Sequence, residues 1–261
     1  MEDLLAQLLP WLNALWWPFV RVLAFLSAAP VLGEAMVPVT VRILVALVLA
    51  VVMLPLTQGA LSIDPLSLQA VAATLEQAVI GGVLGLAFHF AMSVILLLGF
   101  VVSSQMGLSL AVMNDPLNGQ SSDVVSSLLL MMTILIFFSV DGHLVLAGVI
   151  GASFQAWPPG AGWPGPLLLQ TVAFNVAWIF SAAMLLAIPI VFATVVVQLG
   201  FGFLNRVAPT LNLFSLGFSV ITIFGLLMLG QVVRSIPAHY VRMTGQILDM
   251  IQVQMRTAGH G

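Results

Sequence analysis

Few side chains in this chain are suited to catalysis or to metal binding. There are four histidines and nine acidic residues, and all six basic residues are arginines, with no cysteine. Without lysine the chain has no Walker A loop and no Schiff base, and without cysteine it has no thiolate nucleophile and no Cys-ligated zinc. The histidines lack metal-ligand spacing. We therefore expect no enzymatic activity, no catalytic residue, no metal and no cofactor.

Three local patterns resemble functional sites, but each has an ordinary structural explanation. Asp141-Gly142-His143 could form an acid/base pair, yet a turn between two apolar stretches explains the same residues. Gly107-Leu108-Ser109 begins like a nucleophile elbow, but position 111 is alanine rather than glycine. Met131-Met132 could capture a metal through thioethers, although flexible core filling is the commoner role of methionine.

Arg21 is harder to explain as a surface residue. It lies near the centre of the first apolar region, where an arginine costs at least ~2.5–3.5 kcal/mol. Snorkelling to an interface is the alternative, but apolar residues flank it for more than two turns on both sides. The sequence therefore favours Arg21 as a structural anchor, through a charged partner or backbone carbonyls, over a role in transport. Glu76 follows a shorter apolar run and is expected near the membrane interface.

The composition indicates an all-α membrane protein. Hydrophobic residues make up 61% of the 261 positions and charged residues 6%, against roughly 25% in soluble domains. So few basic residues argue against a nucleic-acid partner, and the long uncharged stretches fit spanning helices rather than alternating barrel strands. The acidic start indicates that the first apolar region is retained as a helix. Six helical regions are predicted, at about 8–32, 37–57, 70–102, 124–156, 167–204 and 211–256.

Several of these regions are longer than a bilayer requires. As a straight helix, 70–102 would measure about 50 Å, against a hydrocarbon core of ~30 Å. Slanted or kinked hairpins are therefore expected, with kinks at Gly81-Gly82 or Pro189. The arginines fall at both ends of the predicted helices, so the positive-inside rule gives no orientation.

The last segment is predicted to be an amphipathic helix. After Pro237, apolar residues recur every three or four positions, with polar residues mainly on the opposite face. Such a helix should lie on an interface or pack on a partner. The apolar set is Tyr240, Met243, Ile247, Leu248, Ile251 and Met255, and the polar set is Arg242, Gln246, Asp249, Gln252 and Arg256.

Several short motifs, in order along the chain, resemble the FliR family of flagellar biosynthetic proteins. The N-terminal motifs are Trp17-Pro18, Arg21-Val22-Leu23-Ala24, Ala29-Pro30, Gly33, Pro38 and Arg42. The central and C-terminal motifs are Gln105-Met106-Gly107-Leu108-Ser109, Asp115-Pro116, Gly142-His143-Leu144, Leu204-Asn205-Arg206-Val207-Ala208-Pro209, Leu211, Phe214 and Gly217-Phe218. Virulence-type injectisome homologues share this fold. The residues of the Arg-Val-Leu-Ala and Asn-Arg-Val-Ala-Pro motifs, however, resemble those of the flagellar branch.

The resemblance implies a structural subunit of the flagellar type III protein export gate. Residues 1–261 would form one subunit domain, with 1–160 like a P-type subunit and 167–256 like a Q-type hairpin carrying the amphipathic tail. The implied partners are P-type and Q-type subunits, the larger membrane proteins of the export apparatus, unfolded export substrates and lipid. The implied location is the bacterial inner membrane, multi-pass, within the flagellar basal body, with both termini extracytoplasmic.

The resemblance also implies a plug loop at about 106–123, part of a helical channel that passes unfolded chains without leaking ions. A plain solvent loop is the alternative. The candidate plug residues are Met106, Gly107, Leu110, Val112, Met113, Asp115, Pro116, Leu117 and Gly119. Asp115 and Asp123 are expected to face water, and Arg206 is a second candidate structural anchor.

Two other functional classes remain open. A small secondary transporter would need a midplane site with broken helices and paired repeats, and the sequence shows no such symmetry. An intramembrane enzyme would need an acid/base or nucleophile constellation, for which the sequence offers only the weak patterns described above.

Overall fold

The computed structural model describes residues 2–34, 37–57, 64, 67–108, 123–160, 166–207 and 213–258, and the regular structure in these ranges is helical. This confirms the all-α class. The helices are α1 (Glu2–Ala28), α2 (Val39–Met53), α3 (Leu68–Gln105), α4 (Val124–Ser139), α5 (Gly142–Ala156), α6 (Pro166–Val207) and α7 (Leu213–Ala258), and a short 3-10 helix, Leu54–Thr57, follows α2.

Five of the six predicted helical regions correspond to single α-helices, but 124–156 consists of two. The break lies at Val140-Asp141, where Asp141 adopts φ 54° and ψ 32°. This left-handed conformation interrupts the helix, and aspartate is among the few residues other than glycine that adopt it readily. The turn interpretation of Asp141-Gly142-His143 is the one that the backbone supports.

Among the residues that the structure describes, four helical segments are long and apolar enough to cross a membrane, and α4 with α5 would make a fifth as a bent pair. They are Val39–Thr57, Leu68–Gln105, Leu169–Val207 and Leu216–Thr257. The 42 residues of α6 and the 46 of α7 would extend roughly 63 and 69 Å at ~1.5 Å per residue. Helical structure continues through the internal prolines Pro189 and Pro237.

The chain forms two compact units, each assembled from non-consecutive segments. The first consists of Met1–Phe90, Val140–Asn175 and Thr244–Gly261, and the second of Ala91–Ser139 and Val176–Met243. The first therefore holds α1, α2, α5 and one end of each of α3, α6 and α7. The second holds α4 and the remainder of those three long helices.

In the first unit, α1 and α3 approach closely at two glycines of α3. A Cβ on Gly81 would collide with the Arg21 carbonyl oxygen, and a Cβ on Gly85 with the Phe25 carbonyl oxygen. The neighbouring Gly82 faces open space. Glycines four residues apart lie on one helix face and let two backbones meet. Gly81 and Gly85 are thus packing residues within a continuous α3.

The corner between α1 and α2 is held by Arg42. Its Nε donates to the Leu32 carbonyl oxygen at 2.9 Å, and its Nη2 donates to the Glu34 carbonyl oxygen at 3.2 Å. The same corner contains Val31 at φ 66°, a strained conformation for a β-branched residue. Arg42 therefore satisfies carbonyls in a turn that local preference alone would not favour.

The end of α7 confirms the predicted amphipathic pattern. Tyr240, Met243, Ile247 and Ile251 are buried, whereas the polar set Arg242, Gln246, Asp249, Gln252 and Arg256 is exposed. Within the first unit, Asn175 Nδ2 contacts Met250 Sδ at 3.0 Å and Gln254 Nε2 donates to Thr171 Oγ1 at 3.3 Å. The sequence predicted that an interface or a partner would cover this apolar face. In the structure, other parts of the same chain bury the four residues.

The glycine contacts give a matched test of the α1–α3 packing. Gly81→Ala and Gly85→Ala should each destabilise the protein by about 1–3 kcal/mol, because the added methyl group overpacks against the backbone of α1. Gly82→Ala should be neutral or stabilising by up to about 1 kcal/mol, since it adds helix propensity in open space. Thermal unfolding of the three variants, each purified in complex with the implied P-type and Q-type subunits, provides the comparison, and equal effects at positions 81 and 82 would contradict the packing described.

Candidate functional site

Arg21 lies on α1 inside the first unit and is completely buried, with 0% of its surface exposed. Trp17, Val22 and Phe25 on the same helix are also buried. A guanidinium removed from water needs hydrogen-bond acceptors for its five N–H groups, because an unpaired buried charge is strongly destabilising.

The guanidinium of Arg21 finds its acceptors on α3 and at the end of α5. Nε donates to Gln77 Oε1 at 2.8 Å, and Nη1 donates to the Ser153 carbonyl oxygen at 2.9 Å and Ser153 Oγ at 3.2 Å. Nη2 donates to the Trp157 carbonyl oxygen at 2.6 Å. All three nitrogens are engaged, so the planar fork of arginine fits this arrangement better than the single ammonium of lysine would.

The two carbonyls come from the C-terminal end of α5. The Ser153 carbonyl oxygen also accepts from the Trp157 backbone N–H at 2.9 Å, so it binds Arg21 through a second lone pair. The C-terminal end of a helix carries partial negative charge. Ser153 belongs to the last turn of α5, and Trp157 immediately follows that helix. The charge of Arg21 thus lies at the electrostatically favourable end of α5.

Two further groups complete the cluster around Arg21. The ring of Phe154 lies 4.3 Å from the guanidinium carbon, in cation–π geometry. Gln77 Nε2 donates a longer hydrogen bond, 3.4 Å, to Glu76 Oε1, so Gln77 connects the arginine with a carboxylate. Glu76 is only 8% exposed, which places this acid within the protein.

Sequence reasoning singled out Arg21 but missed its acceptors. The pattern of the sequence did not identify Gln77, Ser153 or the buried Trp157 as partners of Arg21. The only local signal was a glutamine beside Glu76 in an otherwise apolar stretch. These protein groups are arranged to hold helices together, and we call the set Arg21, Gln77, Ser153 and Trp157 the arginine clamp.

In the second unit, the structure describes the two ends of the predicted plug loop. Met106 and Gly107 are described at one end and Asp123 at the other. The remaining candidates lie outside the described residues, and their role stays a prediction; these are Leu110, Val112, Met113, Asp115, Pro116, Leu117 and Gly119.

Met106 and Gly107 end α3 against α7. Thr222 Oγ1 lies 3.3 Å from the Met106 carbonyl oxygen, and the Met106 side chain fills the space where Gly225 lacks one. Gly107 has φ 74°, and a Cβ there would lie 3.0 Å from the Phe218 ring. Glycine is therefore required at position 107 both by the backbone conformation and by the neighbouring ring.

Asp123 is the N-cap of α4. Its Oδ2 accepts from the Ser126 backbone N–H at 2.9 Å and from Ser126 Oγ at 2.6 Å, and its Oδ1 accepts from Ser103 Oγ on α3. A side-chain oxygen bonded to the third residue of the helix is the usual capping arrangement. The expectation that this carboxylate faces water is corrected, because the serines attract it into a partly buried corner.

Other sequence candidates are not brought together into a site. Arg206 is exposed in the last turn of α6, where its charge complements the helix dipole. Asp141 and His143 are both exposed. In the part of the chain that the structure describes, no group of three or more histidine or acidic side chains could hold a metal ion.

Comparison with known proteins matches residues 12–247 to the family described as bacterial export proteins, family 1. The flagellar biosynthetic protein FliR of Pectobacterium carotovorum subsp. carotovorum is 31% identical over 245 residues, covering 92% of each chain. FliR of Escherichia coli (strain K12) is 30% identical over 248 residues, covering 94% of each chain. The surface presentation of antigens protein SpaR of Salmonella typhimurium is 27% identical over 156 residues, covering 59% of this chain and 58% of its own.

The arginine clamp can be tested by substitution at position 21. Arg21→Leu should destabilise the protein by at least about 3 kcal/mol, because four buried acceptor atoms on Gln77, Ser153 and Trp157 lose the arginine, at ~1–3 kcal/mol for each one left without a donor. Arg21→Lys should lose less, since it keeps the charge but cannot reach all four acceptor atoms. Thermal unfolding and yield of the complex purified with the implied P-type and Q-type subunits are the readouts. Arg256→Leu, which removes an exposed arginine, is the control, and Arg21→Leu unfolding like this control would exclude the clamp.

Proposed function

This chain belongs to the bacterial export proteins of family 1 and is a multi-pass membrane component of the flagellar export apparatus, and from that premise we propose that it is a structural subunit of the export gate. In this role it forms part of a helical channel for unfolded flagellar substrates. It performs no catalytic step, and its buried polar groups position helices.

The observation that carries the proposal is the length over which α6 exposes apolar side chains. Within the second unit, Val176 is 42% exposed and Leu204 is 50% exposed, and about 42 Å of helix separates them at ~1.5 Å per residue. A helix tilted by 40° occupies only about 39 Å within a ~30 Å hydrocarbon core. Lipid therefore cannot cover this whole face, and the remainder requires contact with protein.

We propose that P-type and Q-type export-gate subunits supply this protein cover. Residues 1–160 would pack in the manner of a P-type subunit and 167–256 in the manner of a Q-type hairpin. The larger membrane proteins of the export apparatus and lipid would surround the assembly, in the bacterial inner membrane within the flagellar basal body. Both termini would be extracytoplasmic, and Arg206 would anchor the end of α6 against a neighbouring subunit.

We further propose that the segment 106–123 seals the channel before a substrate arrives. The sequence of this segment combines apolar residues such as Leu110 and Met113 with the turn formers Pro116 and Gly119. Irregular backbone at membrane depth is tolerated where protein or a water-filled cavity surrounds it. The contacts of Met106 and Asp123 support the proposal, because they hold both ends of the segment in one unit.

An injectisome export gate is the second candidate assembly, and the similarity to SpaR favours it. The FliR relatives match over a larger share of this chain, which supports the flagellar assignment. The discriminating experiment is complementation of a flagellar null strain, where restored motility would favour the flagellar gate.

The sealing role predicts a leak when the apolar content of the segment is removed. Replacing residues 110–120 by a Gly/Ser sequence of equal length should leave assembly intact and raise ion conductance of the complex in a bilayer, because flexible polar residues cannot fill an apolar constriction. Replacing the exposed Gln252 and Val253 of α7 by Gly and Ser controls for general damage. Conductance as low as that of the unaltered complex would assign the seal to other subunits.

Dependence on partner subunits is a separate prediction. Expressed alone in mild detergent, the chain should be polydisperse and short-lived, because the apolar faces of α2, α6 and α7 lack cover. Co-expression with P-type and Q-type subunits should give one monodisperse species on size-exclusion chromatography. A stable, homogeneous monomer would contradict the proposed assembly.

A further inference from the structure

The corner between α3 and α4 concentrates three hydrogen bonds on one carboxylate. We define this corner as Gly99, Ser103, Asp123 and Ser126, all within the second unit. We propose that Asp123, together with Ser103, is a positioning residue that ties α4 to α3, and that the corner stays closed while a substrate passes. The inference rests on the proposed export function, which it deepens by naming the element that does not move.

The geometry of Asp123 exceeds what helix capping requires. Capping uses a single side-chain oxygen, and Oδ2 performs this task at the Ser126 N–H. The second oxygen, Oδ1, accepts from Ser103 Oγ on the other helix, and Ser103 is buried. A serine at position 123 would cap α4 about as well but has only one short oxygen. The carboxylate is thus suited to a tie between helices.

A direct backbone approach reinforces this tie one turn away along α3. A Cβ on Gly99 would lie 2.6 Å from the Ser126 Cα, so the two helices meet there without an intervening side chain. Ser126 Oγ also lies 3.2 Å from the Leu96 carbonyl oxygen. The first turn of α4 therefore contacts α3 at Leu96, Gly99 and Ser103, positions that share one helix face.

The end of α3 beyond the corner is fixed independently. Thr222 on α7 contacts the Met106 carbonyl oxygen, and Gly225 accommodates the Met106 side chain. Opening the corner would take the Ser103 hydroxyl away from a charged acceptor in a partly buried site, while the two Ser126 contacts would stay with α4. A substrate that passes while the corner stays closed avoids the free-energy cost of breaking this hydrogen bond. That cost is high because hydrogen bonds to charged groups are the stronger ones.

The first experiment separates the tie from simple capping. Asp123→Ser keeps the cap but cannot reach Ser103, and Ser103→Ala keeps the cap while removing the donor. Each variant should accelerate hydrogen exchange of the first-turn amides of α4 in the purified complex by about tenfold. The double variant should exchange no faster than either single variant, because both substitutions remove the same Ser103–Asp123 hydrogen bond. Ser104→Ala, at an exposed neighbouring position, is the control.

Conductance of the same complexes distinguishes the inference from the proposed seal. Faster hydrogen exchange together with raised conductance supports both the tie between the helices and the proposed seal. Faster exchange with unchanged conductance supports the tie and contradicts a sealing role for the attached segment. Unchanged exchange in both Ser103→Ala and Asp123→Ser overturns the tie, whatever the conductance.

The second experiment asks whether the corner opens during export. The chain has no cysteine, so Ser103→Cys with Asp123→Cys introduces a unique pair that a short bifunctional thiosulfonate can link. The linked complex should secrete export substrates at the rate of the unlinked one. The two single-cysteine variants treated with the reagent control for modification alone. Loss of secretion on linking and recovery on reduction would show that the corner must open, which would overturn the inference.

Discussion

Burial of the Arg21 guanidinium is the constraint on which the first unit depends. A chain with only six basic residues places one of them in a fully buried site, and the cost is offset only if the guanidinium nitrogens find acceptors. Gln77 and the carbonyls of Ser153 and Trp157 supply an acceptor for each of the three nitrogens. To bring them within reach, α1 must meet α3 closely, which the glycines at 81 and 85 permit, and α5 must direct its C-terminal end at α1.

The second unit also uses polar groups at a helix end, but in a different way. There a carboxylate caps the start of α4 and ties it to α3, whereas in the first unit an arginine occupies the end of α5. Backbone groups at helix ends must find partners wherever water is excluded. Both arrangements convert that requirement into a fixed relation between helices, which is consistent with the structural role that we propose.

The sequence predicted those features that have a local physical signal. Apolar runs and turn formers placed the helices, the three- and four-residue spacing after Pro237 identified the buried face of α7, and the flanks of Arg21 indicated an interior position. The break at Asp141 was ambiguous because a single left-handed residue has no periodic signature. Ser153 and Trp157 were missed because they act through backbone carbonyls 132 and 136 positions from Arg21, and any residue type supplies a carbonyl. The inward role of Asp123 depends on Ser103, which becomes its neighbour only when α3 and α4 meet.

The central claim is that buried hydrogen bonds from Arg21, rather than the apolar surface around it, hold α1 to α3 through Gln77 and to the end of α5 through Ser153 and Trp157. A double-mutant cycle measures this most directly, with Arg21→Met, Gln77→Leu and the double variant compared by thermal unfolding of the purified complex. Each single change leaves a buried polar group unpaired, whereas the double change removes both partners of that hydrogen bond. The account predicts that the double variant loses less stability than the two single variants combined, by at least about 1 kcal/mol. Additivity within ~0.5 kcal/mol would show that the two side chains act independently and would contradict the account.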